Sequence, residues 1–309
     1  MQLDSPHQNA YFVPLDDQTT PSPFRPPLPI QILQSCNGLL LCSDSLESMF
    51  CVYNLSTNHL ATLPRHPLGY RGNRTRGYGL AYDPLKSLYY KVIAFGITDG
   101  SNSIDNLHIY SSETGTWKAS MQSFIPSPGK IITPGVYWNG CIFWLSETDC
   151  FYFSVEEERL EEFPRPPISA SGTWEKSYFG ESEDHLHVID EVLNDPSLIV
   201  YEMKSDYSEW FIKYQIDLGP ICKVFPDITT KSVFPLDNYK VAVLSIIRRE
   251  KFREDSFLVM EIPGKVIRYN LVDRSFKLIW DFSGAFKPEN FKRRLPGRFQ
   301  VCQYSESVS

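Results

Sequence analysis

Two histidines on one predicted strand come closer to a metal site than any other residues of this chain. His185 and His187 are two positions apart, so a strand would place both side chains on the same face. Glu183, Asp184 and Asp190 supply carboxylates nearby. A bound metal would still need further ligands from elsewhere, and no other segment offers them at a telling spacing. We therefore predict a plain strand with one exposed histidine face, and neither a metal nor a cofactor.

The other chemistry-bearing residues give weak catalytic signals. Glu181 and Glu183 could act as a glycosidase pair only at a defined separation across a cleft, which a sequence does not supply. Cys222 precedes Lys223, but no histidine stands near it to suggest an activated thiolate. The chain lacks Gly-x-Ser-x-Gly, a glycine-rich phosphate loop and His-Glu-x-x-His. These observations predict a protein that is not an enzyme, with a glycan-directed hydrolase as the catalytic alternative.

One basic segment, by contrast, has the composition of a binding surface. Residues 65–76, called here the arginine connection, hold four arginines, one tyrosine and no acid, although the chain as a whole is acidic. Arginine and tyrosine are enriched in the residues that dominate protein interfaces. The connection therefore predicts a site for an acidic protein segment, and a second connection ending at residue 174 adds one tryptophan. The predicted partner-binding residues are Arg65, Tyr70, Arg71, Arg74, Arg76 and Trp174. The alternative is that both connections are solvated, with the tryptophan packed on a neighbouring sheet.

A recurring hairpin signature indicates the elements that hold these residues. An apolar run ends in an aromatic residue, and a large apolar residue follows seven positions later across a polar turn. The four clearest copies are Tyr53 with Leu60, Tyr110 with Trp117, Phe153 with Leu160, and Tyr269 with Phe276. A fifth copy, Tyr201 with Trp210, has a turn two residues longer. Such opposed pairs stabilise antiparallel ladders by roughly 0.2–1 kcal/mol each.

The spacing of the signature predicts the fold class. A unit that recurs at about 50 residues and cannot bury its own face must stack on its neighbours. Further strands precede most copies, several after turn dipeptides such as Asn37-Gly38 and Asn139-Gly140. We predict an all-β propeller of five or six four-stranded antiparallel blades in one domain, with an all-β sandwich as the alternative. Residues near Phe12 and in 299–304 could close the ring or add a sixth blade, and the one plausible helix lies around 288–294.

Composition and charge exclude several classes of protein. The net charge of −7 argues against general nucleic-acid binding. No apolar run approaches the ~20 residues of a membrane span, and the first residues lack the features of a signal peptide. The seven cysteines are odd in number and lie mostly in apolar runs, which is typical of reduced intracellular thiols. We therefore predict an intracellular protein of the cytoplasm or nucleus that binds neither nucleic acid nor membranes.

Several segments in combination resemble the F-box-associated, kelch-like β-propeller domain of plant F-box proteins. The strongest match is Ser35 to Cys42, within a resemblance that covers nearly the whole chain. The other matching segments are Tyr11 to Asp16, Val52 to Thr57, Tyr82 to Pro84, Ile109 to Trp117, Gly135 to Gly140 and Lys265 to Leu271. This resemblance divides the chain into a lead-in at residues 1–28 and a propeller domain at 29–309.

The resemblance implies a protein-binding module that selects targets for a cullin-RING (SCF) ubiquitin ligase. In that family, a leucine-rich helical F-box precedes the propeller and docks on the ligase adaptor. Only Met1 to Asn9 precede the matching region here, so we expect adaptor binding only if an F-box is supplied upstream. A fragment, a truncated gene and an F-box-less paralogue are the open explanations. An F-box-less protein would act as a competitor or scaffold that binds targets without causing ubiquitination.

Overall fold

The chain folds into antiparallel sheets. The structure is a computed structural model that describes residues 10–15, 22–24, 30–44, 49–65, 74–97, 104–120, 135–146, 150–168, 178–192, 195–228, 240–249 and 256–283. A two-stranded hairpin of β1 (Ala10–Phe12) and β2 (Ser22–Phe24) precedes five four-stranded antiparallel sheets. The predicted all-β class is therefore confirmed.

Each four-stranded sheet is one blade, and its strands follow one another in chain order. Blade 1 comprises β3 (Gln31–Cys36), β4 (Leu39–Ser43), β5 (Phe50–Asn54) and β6 (His59–Thr62). Blade 2 comprises β7 (Arg74–Ala81), β8 (Lys91–Ile97), β9 (Ile104–Ser111) and β10 (Thr116–Ala119). Blade 3 comprises β11 (Val136–Trp138), β12 (Cys141–Trp144), β13 (Phe151–Ser154) and β14 (Arg159–Glu162). Blade 4 comprises β15 (Tyr178–Ser182), β16 (His185–Glu191), β17 (Ser197–Met203) and β18 (Trp210–Asp217). Blade 5 comprises β19 (Ala242–Ile247), β20 (Phe257–Ile262), β21 (Lys265–Asn270) and β22 (Phe276–Asp281).

The blades form a propeller around a central channel. The first strand of each blade lies innermost, and consecutive inner strands contact one another in the order β3, β7, β11, β15 and β19. Residues of all five blades line one cavity at the centre. The described residues thus form five blades. The segment 299–304, predicted to help close the ring, lies outside the described residues, whereas Leu15 packs against the core of blade 5.

The middle strands are buried along most of their length because each blade is covered on both faces. Every residue of β4 and of β20 is buried, so neither strand shows the alternation of a sheet with one wet face. Between blades 2 and 3, the rings of Phe95 and Trp144 meet edge to face at 5.2 Å. Gly79 permits this approach, since a Cβ there would lie 2.5 Å from Cγ2 of Ile142. The core between these blades therefore depends on a glycine, which has no side chain, as well as on large aromatic side chains.

The hairpin register follows the predicted offset in four blades. Tyr53 pairs with Leu60, Tyr110 with Trp117, Phe153 with Leu160, and Tyr269 with Phe276. The prediction for the fifth copy is wrong. Trp210 faces Met203, and Tyr201 faces Ile212, because β17 continues to Met203 before the turn begins. The register shift between Val200 and Tyr201 comes after these pairs, on the side away from the turn. Blade 4 thus also has an offset of seven, with methionine in the place of the aromatic residue.

The turns and connections match the sequence-based predictions less closely than the strands do. Asn37-Gly38 and Asn139-Gly140 form the predicted turns, with positive φ at all four residues. In blade 4 the corresponding turn residues are Glu183 and Asp184, both with positive φ. A short helix, α1 (Gly219–Val224), was not predicted, while the helix predicted around 288–294 lies outside the described residues. No helix in the described part of the chain is long and apolar enough to cross a membrane.

Candidate protein-binding surfaces

The central channel opens between the turns that join the first and second strands of the blades. A cavity of about 500 Å³ lies there, a volume within the range of ligand-binding pockets. We call this opening the channel mouth. Its ionisable lining residues include Cys36, Asp83, Lys86, Tyr137, Glu181 and Asp184.

Side chains that reach from blade to blade fix the shape of the channel mouth. Asn37 Nδ2 in blade 1 donates a hydrogen bond to the carbonyl oxygen of Tyr82 in blade 2, at 2.7 Å. Trp138 Nε1 in blade 3 donates to the carbonyl oxygen of Asp184 in blade 4, at 2.9 Å. These bonds hold neighbouring turns against each other, so the mouth is organised before any partner arrives.

The channel mouth is acidic. Asp83 forms an ion pair with Lys86 at 3.3 Å, which leaves Glu181 and Asp184 as further carboxylates of the lining. Glu181 accepts a hydrogen bond from the backbone N–H of Asp184 at 2.7 Å. Burial raises the pKa of Glu181, and the charges of Asp184 and Glu183 act in the same direction. A cation entering the mouth would therefore relieve a concentration of negative charge.

The thiols and phenols near the mouth are poorly suited to nucleophilic chemistry. Burial raises the pKa of Cys36 to about 12, and it also raises the pKa of Tyr137. Both groups therefore stay protonated near neutral pH. The described cysteines are all free thiols, and only Cys222 among them is not buried. Cys302 lies outside the described residues.

An apolar turn projects beside the channel mouth in blade 2. It joins β7 to β8, and we call its residues 83–90 the leucine turn. Leu85 is 96% exposed, Leu88 85% and Tyr89 51%. Sequence reasoning missed this surface, although two leucines and a tyrosine that follow within five residues of Asp83-Pro84 were a usable signal.

The two histidines belong to one polar cluster in which His185 is only partly exposed, so the prediction of an exposed histidine face is wrong. His187 is wholly buried, and its Nε2 lies 3.3 Å from Oε2 of Glu202, a residue of the next strand. His185 Nε2 lies 3.8 Å from the other oxygen of the same carboxylate. Arg248 Nη1 donates to Glu202 at 2.7 Å, and Lys213 Nζ donates to it at 3.3 Å. We call these five residues the Glu202 cluster.

The Glu202 cluster is not built like a metal site. Its one carboxylate is already paired with two side-chain cations, which would repel a metal ion. Among the described residues, no group of three or more histidine, cysteine, aspartate or glutamate side chains is arranged to hold a metal ion. The cluster instead joins blade 4 to blade 5, because Arg248 follows directly on β19.

The two glutamates considered as a glycosidase pair point to different surroundings. Glu181 lines the channel mouth, whereas Glu183 lies at an exposed turn position with φ of 51° and is not part of the lining. Two carboxylates that face a substrate from opposite sides are the requirement for glycoside hydrolysis. These two residues do not provide it.

The described ends of the arginine connection, at Arg65 and Arg74, lie at the opposite end of the propeller from the channel mouth. Successive strands alternate in direction, so the segment after β6 leaves the far end of blade 1. Arg65 is exposed there. Arg74 and Arg76 belong to β7, so the prediction of a loop that extends to residue 76 is wrong at its end. The backbone there pairs with β8, and the register shifts between Thr75 and Gly77. Tyr70, Arg71 and Trp174 lie outside the described residues.

The fold and its surfaces define a β-propeller that offers turns and connections for binding, without a catalytic constellation among the described residues. A family model described as the F-box associated beta propeller domain matches residues 7–277. The F-box protein At5g07610 of Arabidopsis thaliana is 30% identical over 349 aligned residues, which take in 99% of this chain and 80% of that protein. This chain belongs to the family of plant proteins with an F-box associated β-propeller domain.

Solved structures with a similar fold are distant in sequence. A protein of unknown function from Bacteroides thetaiotaomicron is 11% identical with a TM-score of 0.46, over 81% of this chain and 57% of that one. A chain of the Mitotic Checkpoint Complex is 10% identical with a TM-score of 0.42, over 80% of this chain and 64% of that one. This chain thus spans less than two thirds of either solved chain.

Proposed function

We propose that this chain is the target-recognition domain of a cullin-RING (SCF) ubiquitin ligase of the F-box type, acting inside the cell. The family match over residues 7–277 carries this proposal. An F-box joined upstream would connect the propeller to the ligase adaptor, and the propeller would hold a target protein. A chain without an F-box would bind the same targets and compete with the complete receptor. Among the residues that the structure describes, no pair of carboxylates favours the glycan hydrolase.

The arginine connection is the proposed target site of this receptor. Its guanidinium groups would pair with carboxylates of an acidic segment, and such bidentate pairs are stronger than the pairs that lysine makes. Association should accelerate at low salt, because the connection opposes the sign of the whole molecule. Trp174 would extend this site as an aromatic anchor.

Affinity capture from a native plant extract tests this proposal. The chain alone should retain a reproducible set of proteins, and the chain with an F-box fused upstream should retain the same set together with the adaptor. The variant Arg71→Ala, Arg74→Ala, Arg76→Ala should weaken this capture at least tenfold, or about 1.4 kcal/mol, without a change in thermal stability.

The matched control removes three positive charges nearer the other end of the molecule, two from outer strands and one from a hairpin turn. The variant Lys118→Ala, Arg159→Ala, Lys204→Ala makes the same change in net charge at exposed positions. It should leave capture unchanged. Capture that is equal for both triple variants would remove the arginine connection from the proposal, and a chain that retains no protein would contradict the receptor function itself.

A further inference from the structure

The leucine turn is an exposed apolar surface that the fold holds in one shape. Asp83 organises it, because its side chain accepts from the backbone N–H of Leu85 at 3.1 Å and its carbonyl accepts from those of Lys86 and Ser87. The far end is fixed to the neighbouring strand, where the backbone N–H of Tyr90 donates to Ser112 Oγ at 2.9 Å. A turn whose backbone is already fixed loses little backbone entropy on binding, so the exposed apolar side chains here favour association.

The leucine turn and the acidic channel mouth form one continuous surface. Leu85 and Lys86 line the cavity, together with Glu181 and Asp184 from blade 4. A segment that covers the two leucines can therefore also reach into the cavity. Tyr137 and Leu244 contribute apolar lining to the same cavity, which suits the aliphatic stem of a long side chain.

The charge of this surface selects one class of partner. Lys86 is neutralised by Asp83, and among the described residues no lysine or arginine forms an ion pair with Glu181 or Asp184. An entering acidic side chain would meet two carboxylates, whereas an entering ammonium or guanidinium group would pair with them. Glu181 is only partly exposed, which limits the screening of its charge by salt, whereas Asp184 is exposed at the rim.

We propose that the leucine turn and the channel mouth together dock a linear protein segment that carries large apolar residues and a lysine or arginine. The apolar residues cover Leu85, Leu88 and Tyr89, and the basic side chain enters the mouth to pair with Glu181 and Asp184. This inference rests on the proposed function, because it assigns a second, chemically opposite contact to a propeller that selects proteins. A target would be read at both ends of the channel, with acidic residues at one end and basic residues at the other.

Selection from a displayed library of random twelve-residue peptides tests the docking proposal. Peptides retained by the wild-type chain but not by the variant Leu85→Ser, Leu88→Ser should be enriched in lysine or arginine together with leucine, isoleucine or phenylalanine. A synthetic copy of the most enriched peptide should bind the double variant at least tenfold more weakly. The variant Ile212→Ser, Leu278→Ser is the matched control, since those side chains are 52% and 44% exposed on blades 4 and 5. It should bind the peptide within twofold of wild type.

A second variant tests the charged half of the site without touching the leucines. Glu181→Gln keeps the acceptor for the backbone N–H of Asp184, and Asp184→Asn suits the positive φ of 60° at that position. Together they should weaken the peptide about fivefold and flatten the salt dependence of its affinity.

Three outcomes would overturn the proposal. Enriched peptides could be acidic, they could bind the leucine and carboxylate variants as well as wild type, or sedimentation could show a dimer that Leu85→Ser, Leu88→Ser dissolves. The last outcome would assign the surface to a second copy of this chain. Specific capture of extract proteins in any of these cases would leave the proposed function standing and remove only this site.

Discussion

Two junctions between neighbouring blades are fastened by opposite chemistry. Between blades 1 and 2, the Gln34 side chain lies against the free edge of β7, where its Oε1 accepts from the backbone N–H of Leu80 at 2.7 Å. Its Nε2 donates to the carbonyl of the same residue at 3.2 Å. One neutral side-chain amide thus satisfies both the free N–H and the free carbonyl at the edge of this inner strand.

Between blades 4 and 5, the Glu202 cluster replaces the amide with charges. Burial alone would raise the pKa of the Glu202 carboxyl, but the contact with His187 and the charges of Arg248 and Lys213 outweigh it and lower that pKa to about 2. A backbone contact accompanies the charges, because the N–H of Arg248 donates to Ser182 Oγ at 2.9 Å. The charged junction can therefore respond to pH, whereas the amide junction cannot.

Removal of Glu202 should produce the largest loss of stability. Glu202→Leu leaves the buried Arg248 guanidinium without its carboxylate, and breaking such a pair costs about 3–5 kcal/mol. Addition of Arg248→Met should restore much of the loss, because an apolar pair needs no compensation. Denaturant unfolding measures both effects. A double variant no more stable than Glu202→Leu would show that the unpaired Arg248 guanidinium is not the cause of the loss.

Gln34→Leu should produce a smaller loss. The leucine fills a similar volume but leaves the N–H and carbonyl of Leu80 without their partner, at a cost of about 1–3 kcal/mol. The loss should be the same at pH 7.5 and pH 5.5, since no titrating group takes part. Equal stability of variant and wild type would mean that water replaces the amide at this edge.

The charged junction should lose stability in mild acid. Burial lowers the pKa of His187 below its usual 6.5, although the contact with Glu202 acts in the other direction. The unfolded chain then takes up a proton more readily than the folded one, so the stability is full above about pH 6.5 and is lost as the pH falls below it. The slope can reach about 1.4 kcal/mol per pH unit.

His187→Gln should flatten this slope between pH 7 and pH 5. Burial also lowers the pKa of His108 in blade 2. That residue is present in both the wild type and the variant, so its contribution to the slope cancels when the two are compared. Unfolding free energies at five pH values would measure the difference. Parallel curves would assign the acid response to a group outside the cluster. Below pH 4.5 the Glu202 carboxyl should add a further loss, as the pH approaches its folded pKa of about 2.

The smallest effect should come from two tryptophans that tie a blade to the preceding one. Trp117 Nε1 donates to the carbonyl of Pro64, and Trp210 Nε1 donates to that of Pro164, both at 2.8 Å. Trp117→Phe and Trp210→Phe should each cost about 1 kcal/mol, the typical net value of one hydrogen bond. Thermal or denaturant unfolding of the single variants would check whether the two bonds are equivalent.

The sequence predicted the local part of the fold well. Four hairpin registers follow from one seven-residue offset, because turn and cross-strand pair lie within the same short segment. The fifth fails because β17 continues two residues beyond Tyr201, so that Met203 faces Trp210. Helix α1 had a usable signal in Pro220, which suits the first turn of a helix.

The contacts between blades could not be predicted from local patterns. Gln34 with Leu80, Trp138 with Asp184, and Glu202 with Arg248 are each 46 residues apart, about one blade. Their partners become visible only when consecutive blades are placed side by side. The leucine turn was missed for a different reason, since apolar residues next to a strand are usually assigned to the core.

The central claim is that this propeller selects proteins for ubiquitination, and one reconstitution tests it directly. A protein captured by the chain is incubated with ubiquitin, the ligase components and the chain carrying an upstream F-box. The account predicts ubiquitin conjugates on the captured protein, a loss of at least tenfold with Arg71→Ala, Arg74→Ala, Arg76→Ala, and no loss with Lys118→Ala, Arg159→Ala, Lys204→Ala. Conjugates that form equally with all three chains would remove the arginine connection from the account, and an absence of conjugates with every chain would contradict the central claim.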